Sequence, residues 1–181
     1  MNKKILWITE TAVMIAVLVA LQAVTKPMGQ FVTGSCVNMV LAVSALVGGL
    51  WCGVTVALIS PVMAFVLGIA PQILTVPAIM VGNTVFVVML YLLAKDSEGK
   101  PALKIAAWLL AAVAKFATLY ILVSEVICGL LATSLMDAGM LKAPMLNALP
   151  ATFSWPQLVT ALIGGGIALT IVPLIRKAVK K

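Results

Sequence analysis

The residue of this sequence that most clearly indicates a binding function is a lysine inside a long apolar stretch. Lys115 stands within the mostly apolar run from Ala102 to Leu135. If this run spans a membrane, a charge so far inside it is costly and normally faces a cavity or a polar partner. Because an unpaired buried ammonium is expensive, such a site would favour an anionic ligand. Alternatively, Lys115 pairs with Glu125 and only holds helices together, although the two would lie roughly 15 Å apart on one helix.

Neutral polar side chains cluster toward what would be the outer ends of the apolar segments. An amide in hydrocarbon needs hydrogen-bond partners, so the group indicates an outward-facing pocket around Lys115. Each residue alone could instead form an interhelical hydrogen bond, and the tryptophan also suits an interfacial anchor. Gln22 and Thr25 also lie at the outer end of the first segment. The predicted substrate-binding residues are Lys115, Asn83, Asn38, Trp155, Gln157 and Gln72.

Other chemistries are poorly supported by the composition. The chain has no histidine, which removes the commonest general base and metal ligand. Its 3 cysteines are scattered through apolar runs and predict neither a disulfide framework nor a metal site. It lacks a phosphate-binding G-x-x-x-x-G-K-[ST] loop, and its cations form no stripe with aromatic residues. We therefore expect no catalytic residue, metal, cofactor or nucleic-acid partner, and no ATP hydrolysis by the chain itself.

Alanines repeat every four residues on the first apolar segment. Ala12, Ala16 and Ala20 would stack on one face of a helix and form a smooth strip that another helix can approach closely. Two interpretations are open: packing inside this protein, or docking on another membrane protein.

The elements that position these residues are membrane helices. Of 181 residues, 64% are hydrophobic and 9% are charged, and the mean hydropathy is +1.22. A chain of this composition has too few polar residues to cover its surface in water, so lipid must cover much of it. At ~20 residues per span, the length suits about six helices in a single domain, residues 1–181. We predict an all-α integral membrane protein with spans at residues 5–24, 36–49, 50–69, 73–94, 102–124 and 157–175, and a long loop over residues 136–156. The fifth segment either tilts or ends near Glu125.

The cations predict the orientation of these spans. With six spans, most of the 12 Lys and Arg residues fall on one side: those near the N-terminus, those between residues 95 and 104, and those after residue 175. Only Lys26 and Lys142 fall on the other side, apart from Lys115 within a span. Because cytoplasmic loops carry an excess of Lys and Arg, both termini are predicted to be cytoplasmic.

These features together resemble the substrate-binding S components of energy-coupling factor (ECF) vitamin transporters. The likeness covers nearly the whole chain and rests on the six-span layout, the strip "AVMIAVLVA" and the last span "SWPQLVTALIGGGIA". The resemblance implies a multi-pass protein of the prokaryotic plasma membrane with a vitamin-binding pocket near the extracellular face. It also implies docking through Ala12, Ala16 and Ala20 on a membrane coupling subunit that carries two ATPase subunits.

The cargo and two rival functions stay open on the sequence. Lys115 favours a small anion such as a carboxylate vitamin, whereas the amides would also suit a neutral ring. A stand-alone secondary transporter would normally need an acidic residue deep in the membrane, and Glu125 lies too near the surface. A structural membrane protein of envelope assembly would share the composition but would need no pocket.

Overall fold

The computed structural model describes residues 3–69, 72–95, 97 and 100–179, and no strand occurs in those ranges. The described part of the chain is therefore all-helical, as predicted. The first five helices are α1 (Lys3–Thr25), α2 (Gln30–Val47), α3 (Leu50–Val66), α4 (Thr75–Ala94) and α5 (Pro101–Leu119). A π-helical segment (Tyr120–Leu130) follows α5, and then come α6 (Ala132–Asp137), α7 (Met145–Phe153) and α8 (Trp155–Val179).

Several of these helices have the length and apolarity of membrane spans. Within the described ranges, five helical stretches qualify: Lys4–Met28, Gln30–Val47, Thr75–Ala94, Pro101–Leu130 and Met145–Ala178. Helix α3 is also apolar but has 17 residues, or roughly 25 Å at 1.5 Å per residue, somewhat less than the ~30 Å hydrocarbon core of a bilayer. Three features remain predictions: the total of six spans, the single domain and the cytoplasmic location of both termini.

Two helices extend into segments that the sequence pattern predicts as non-helical. Helix α2 begins at Gln30 rather than at Cys36, because Gly29, with a φ of 84°, ends the preceding turn and Gly34 lies within the helix. Helix α7 lies within the predicted loop 136–156, and Pro144 stands just before its first residue. Proline is well suited to the start of a helix because the first backbone N–H groups have no intrahelical acceptor.

The fifth segment neither stops nor restarts at Glu125. Helix α5 continues through the wider turns of the π-helical segment as far as Leu130. Such π-helical turns are rare and occur frequently near functional sites. The segment packs against α7 and supplies Val123 to a small apolar cluster there, whose other buried members are Ala78, Leu119, Leu141, Leu149 and Phe153.

Helix α2 lies at the centre of the bundle and contacts α1, α3, α4 and α8. The contact with α8 is close because Gly164 lies against the backbone carbonyl of Ser35 and the side chain of Asn38. A Cβ atom at Gly164 would collide with both, so only glycine permits this approach. The close packing brings Asn38 of α2 into the interior, where it is 1% exposed.

Several cationic residues lie together at one end of the bundle. Arg176 Nη2 of α8 donates to the carbonyl oxygen of Leu46 at 2.6 Å, so the last turns of α2 and α8 share one end. Lys100 and Lys104, at the start of α5, border a groove beside Pro173 of α8 at that same end. The end that contains the last turns of α1 and α3 and the first turns of α2 and α8 lies opposite, and a cavity opens there.

Candidate binding site

A cavity of about 340 Å³ lies at the end of the bundle opposite this cationic end. Residues from α1, α2, α3, α4, α5, α7 and α8 line it, so its walls come from sequence-distant parts of the chain. Its volume is at the small end of the usual range for ligand pockets, about 300–1,000 Å³. Its polar lining includes Gln22, Asn38, Ser60, Asn83, Lys115 and Gln157.

The ammonium group of Lys115 is the principal charge in this cavity. The residue is 3% exposed, and its Nζ donates to Asn38 Oδ1 at 2.5 Å and to Asn83 Oδ1 at 2.7 Å. The ring centroid of Phe86 lies 5.6 Å from Nζ, which is within the range of a cation–π interaction. An ammonium has three N–H donors, so two amide oxygens leave one donor for a ligand.

None of the described residues that line the cavity supplies a counter-ion for this ammonium. None of the described lining residues is Asp or Glu, whereas a second lysine, Lys26, borders the cavity. The Nζ of Lys26 donates to the carbonyl oxygen of Leu67 at 2.7 Å, and its side chain is exposed. The described lining therefore carries positive charge only, and it offers an anion one buried and one exposed ammonium.

Asn38 is held so that its oxygen points at Lys115. Its Nδ2 donates to the carbonyl oxygen of Gly34 at 2.9 Å and to Thr160 Oγ1 at 3.2 Å. Thr160 in turn donates to the carbonyl oxygen of Gln157 at 3.2 Å. These bonds leave Asn38 Oδ1 facing the ammonium, so α2 and α8 together orient one of the two groups that hold Lys115.

Gln22 of α1 and Ser60 of α3 meet on another wall of the cavity. Gln22 is 1% exposed, and its Nε2 donates to the carbonyl oxygen of Ser60 at 3.2 Å and to Ser60 Oγ at 3.4 Å. Its Oε1 has no hydrogen-bond partner, and the Nδ2 of Asn83, another lining residue, has none either. The sequence places Gln22 near the outer end of its helix, but nothing in the pattern indicates this contact with α3.

Helix α7 borders the cavity and is tied to both neighbouring helices by amide contacts. Gln30 Nε2 of α2 donates to the carbonyl oxygen of Thr152 at 3.1 Å. Gln157 Nε2 of α8 donates to the same oxygen at 3.3 Å. Thr152 and Phe153 of α7 both line the cavity, so the last turn of this short helix forms part of its wall.

Comparison with known proteins decides the family. The profile of the family described as ECF transporter, substrate-specific component, matches residues 10–176. The chain belongs to this family. No curated protein and no solved structure matches the chain in the corresponding comparisons. The resemblance recognised in the sequence is thereby confirmed, and the chain is a multi-pass membrane subunit that confers substrate specificity on an ECF transporter.

The structure of this S component brings together most of the residues predicted to bind substrate. Lys115, Asn38 and Asn83 form one hydrogen-bonded group, and Gln157 lines the same cavity. Trp155 does not line it: this residue is 60% exposed, and its ring centroid lies 5.5 Å from that of Phe31.

Gln72 also lies outside the lining, and its backbone carbonyl accepts a hydrogen bond from Thr75 Oγ1 at 2.8 Å. Several lining residues had no distinguishing signal in the sequence, because each is a single polar residue that the sequence pattern does not set apart. They are Lys26, Gln30, Thr33, Ser60 and Thr152.

The alanine strip of the S component lies on the outer surface of the bundle. Ala12, Ala16 and Ala20 are all exposed, whereas Leu18 and Gln22 on the other face of α1 are buried. Helix α1 uses that buried face to contact α2 and α3. The strip is therefore open to another membrane protein or to lipid.

Proposed function

We propose that this S component captures a small anionic micronutrient from outside the cell and passes it to an ECF module for ATP-driven import. The observation that carries the proposal is the buried ammonium of Lys115, which is held by two amide oxygens in a cavity whose described lining has no carboxylate. An anionic ligand would supply the missing counter-charge. At ~4 Å and an effective dielectric constant of about 20, that attraction is about 4 kcal/mol.

The lining also supports a compact ligand rather than a large flat one. Phe153 is the one aromatic residue among the described lining residues, and the cavity holds about 340 Å³. A large planar ring system would need several stacking faces. A vitamin-sized carboxylate or a similar anion meets both constraints, since it needs positive charge and hydrogen bonds more than ring contacts.

An outward-facing cavity is supported by the cations at the opposite end of the bundle. Lys100, Lys104 and Arg176 lie at the end away from the cavity. Because cytoplasmic ends of membrane proteins carry an excess of Lys and Arg, that end would face the cytoplasm. The cavity would then open toward the outside, where a capture subunit meets its substrate.

The exposed strip of Ala12, Ala16 and Ala20 supports docking on a membrane coupling subunit. Small residues let a partner helix approach closely, and none of these three side chains is needed to fill the interior. The energy for import would come from ATPase subunits bound to that partner, because the chain has no phosphate-binding loop of its own.

Docking is tested by Ala16→Leu, which adds bulk to the centre of the strip without touching the cavity. We expect co-purification with the coupling subunit and substrate uptake to fall at least tenfold, with substrate binding by the isolated S component unchanged. Ala106→Leu adds the same bulk to an exposed alanine of α5 and is the matched control. Normal uptake by the Ala16→Leu variant would exclude the strip as the docking face.

Capture is tested by mass spectrometry of the small molecules that co-purify with the detergent-solubilised protein. A single anionic compound, released on denaturation, is the expected result. A neutral compound would contradict the charge argument, and an empty, folded protein that ignores a metabolite extract would favour a structural role. Uptake that continues in cells without the ATPase subunits would instead indicate a stand-alone secondary transporter.

A further inference from the structure

Two buried polar atoms in the cavity lining lack a hydrogen-bond partner. Three side-chain atoms among the described residues are in this state: Gln22 Oε1, Asn83 Nδ2 and Ser124 Oγ. The first two belong to cavity-lining residues that are each 1% exposed. A buried polar group without a partner is unfavourable, and such groups in native proteins normally bond to protein, water or a ligand.

The chemistry of the neighbouring groups decides which atom of each amide is left over. The ammonium of Lys115 can only donate, so the atom of Asn83 that lies 2.7 Å from it must be the oxygen. The carbonyl oxygen of Ser60 can only accept, so the atom of Gln22 that lies 3.2 Å from it must be the nitrogen. Asn83 therefore has an unused donor and Gln22 an unused acceptor, and both residues belong to the cavity lining.

The unused donor of Asn83 lies beside the free donor of Lys115. Both belong to groups that are joined by one hydrogen bond of 2.7 Å. A carboxylate has two oxygens that can each accept a hydrogen bond, so one group on the ligand can satisfy both donors. The acceptor of Gln22 cannot bond to a carboxylate, because it needs an N–H or O–H donor.

We propose that the ligand of this site is a carboxylate that also carries a neutral N–H or O–H group, such as an amide or a hydroxyl. The carboxylate binds the Lys115 ammonium and Asn83 Nδ2, and the neutral group donates to Gln22 Oε1. This inference rests on the proposed capture of an anion. It disfavours simple fatty acids and other carboxylates without a donor, because they would give Gln22 Oε1 no partner on the ligand.

Other ligand classes fit the three groups less well. A neutral amide could bond to Gln22 and Asn83, but it would leave the ammonium of Lys115 without a counter-ion. An amine could donate to Gln22, but it would be repelled by the same ammonium. Only a ligand that combines a negative group with a neutral donor satisfies Lys115, Asn83 and Gln22 together.

The test is to incubate ligand-free wild-type protein and two variants with a deproteinised bacterial extract and to identify the retained compounds by mass spectrometry. Gln22→Met removes the acceptor but keeps a side chain of similar size. Gln72→Met makes the same change at a glutamine outside the cavity lining and serves as the control. Circular dichroism melting curves establish that each variant is folded.

We expect the wild type and the control to retain a carboxylate that carries an N–H or O–H group. Retention by Gln22→Met should fall about 3- to 10-fold, the usual effect of one neutral hydrogen bond. The identity of the compound retained by the wild type is decisive even if Gln22→Met does not fold.

A retained carboxylate without such a donor, or one that Gln22→Met binds as well as the wild type, would overturn this inference and leave anion capture intact. A retained compound that is neutral or cationic would overturn both. Retention of nothing by folded wild-type protein would also overturn both, since the extract contains the soluble metabolites of a cell.

Discussion

Replacing Lys115 with methionine removes the ammonium from the cavity while a side chain of similar length stays in place. In the wild type, Nζ donates to Asn38 Oδ1 and Asn83 Oδ1 and has one donor left for an anion. The variant loses the charge and that donor together. The cavity walls from the other helices are unchanged, so the substitution isolates the electrostatic contribution to binding.

The expected loss of affinity follows from two overlapping contributions. A hydrogen bond to a charged group contributes about 1.5–3 kcal/mol, and the attraction of unit charges at ~4 Å is about 4 kcal/mol at an effective dielectric constant of about 20. Since both describe largely the same interaction, we take about 3–4 kcal/mol, or a roughly 100- to 1,000-fold weaker Kd. The free energy of unfolding should change less than the free energy of binding. The variant leaves the oxygens of Asn38 and Asn83 without a donor, which is destabilising, but it also removes a buried charge, which is stabilising.

The assay is isothermal titration calorimetry on detergent-purified protein, with the anion that co-purifies with the wild type as titrant. Lys104→Met is the matched control, since Lys104 lies at the opposite end of the bundle and its loss should leave the Kd unchanged. If folded Lys115→Met binds within threefold of the wild type, Lys115 has a structural role and the anionic substrate is wrong.

Three further predictions follow from the packing and the charge distribution. Gly164→Ala should destabilise the protein by about 1–3 kcal/mol and weaken substrate binding, because its Cβ would displace Asn38. Gly166→Ala is the control with a smaller expected effect, because its Cβ would meet only the edge of the Trp108 ring. The melting temperature and the Kd measure the two effects. Trp155→Ala should change the Kd less than threefold, because the residue lies outside the cavity lining, and a tenfold loss would return it to the site. A cysteine introduced at Lys142 of a cysteine-free variant should react with an impermeant maleimide on intact cells, and one placed after the last residue should not; the reverse pattern would contradict the proposed orientation.

Much of the site could be identified from the sequence because burial of charge is costly in any fold. Lys115 stands in an apolar run, and a lysine there needs polar partners whatever the arrangement of the helices. Asn38 and Asn83 are likewise isolated amides in apolar segments. The structure brings these three residues together, as the shared need for partners predicts.

The remaining contacts could not be predicted because they depend on how each helix is rotated and where it packs. Gln22 and Ser60 are 38 residues apart in the chain, and their contact requires α1 to lie beside α3 with these two faces together. Trp155 opens α8 as expected of an outer-end residue, but the first turn of that helix directs its ring toward Phe31 and away from the cavity.

Composition and cation placement by themselves determined that this protein is helical and membrane-embedded, because an apolar chain must satisfy its backbone hydrogen bonds internally. They also predicted which end faces the cytoplasm. Only the tertiary structure decided that the strip of Ala12, Ala16 and Ala20 is exposed while Gln22 is buried. A sequence repeat marks one face of a helix, but the neighbouring helices decide whether that face is covered, and here α2 and α3 pack on the other one.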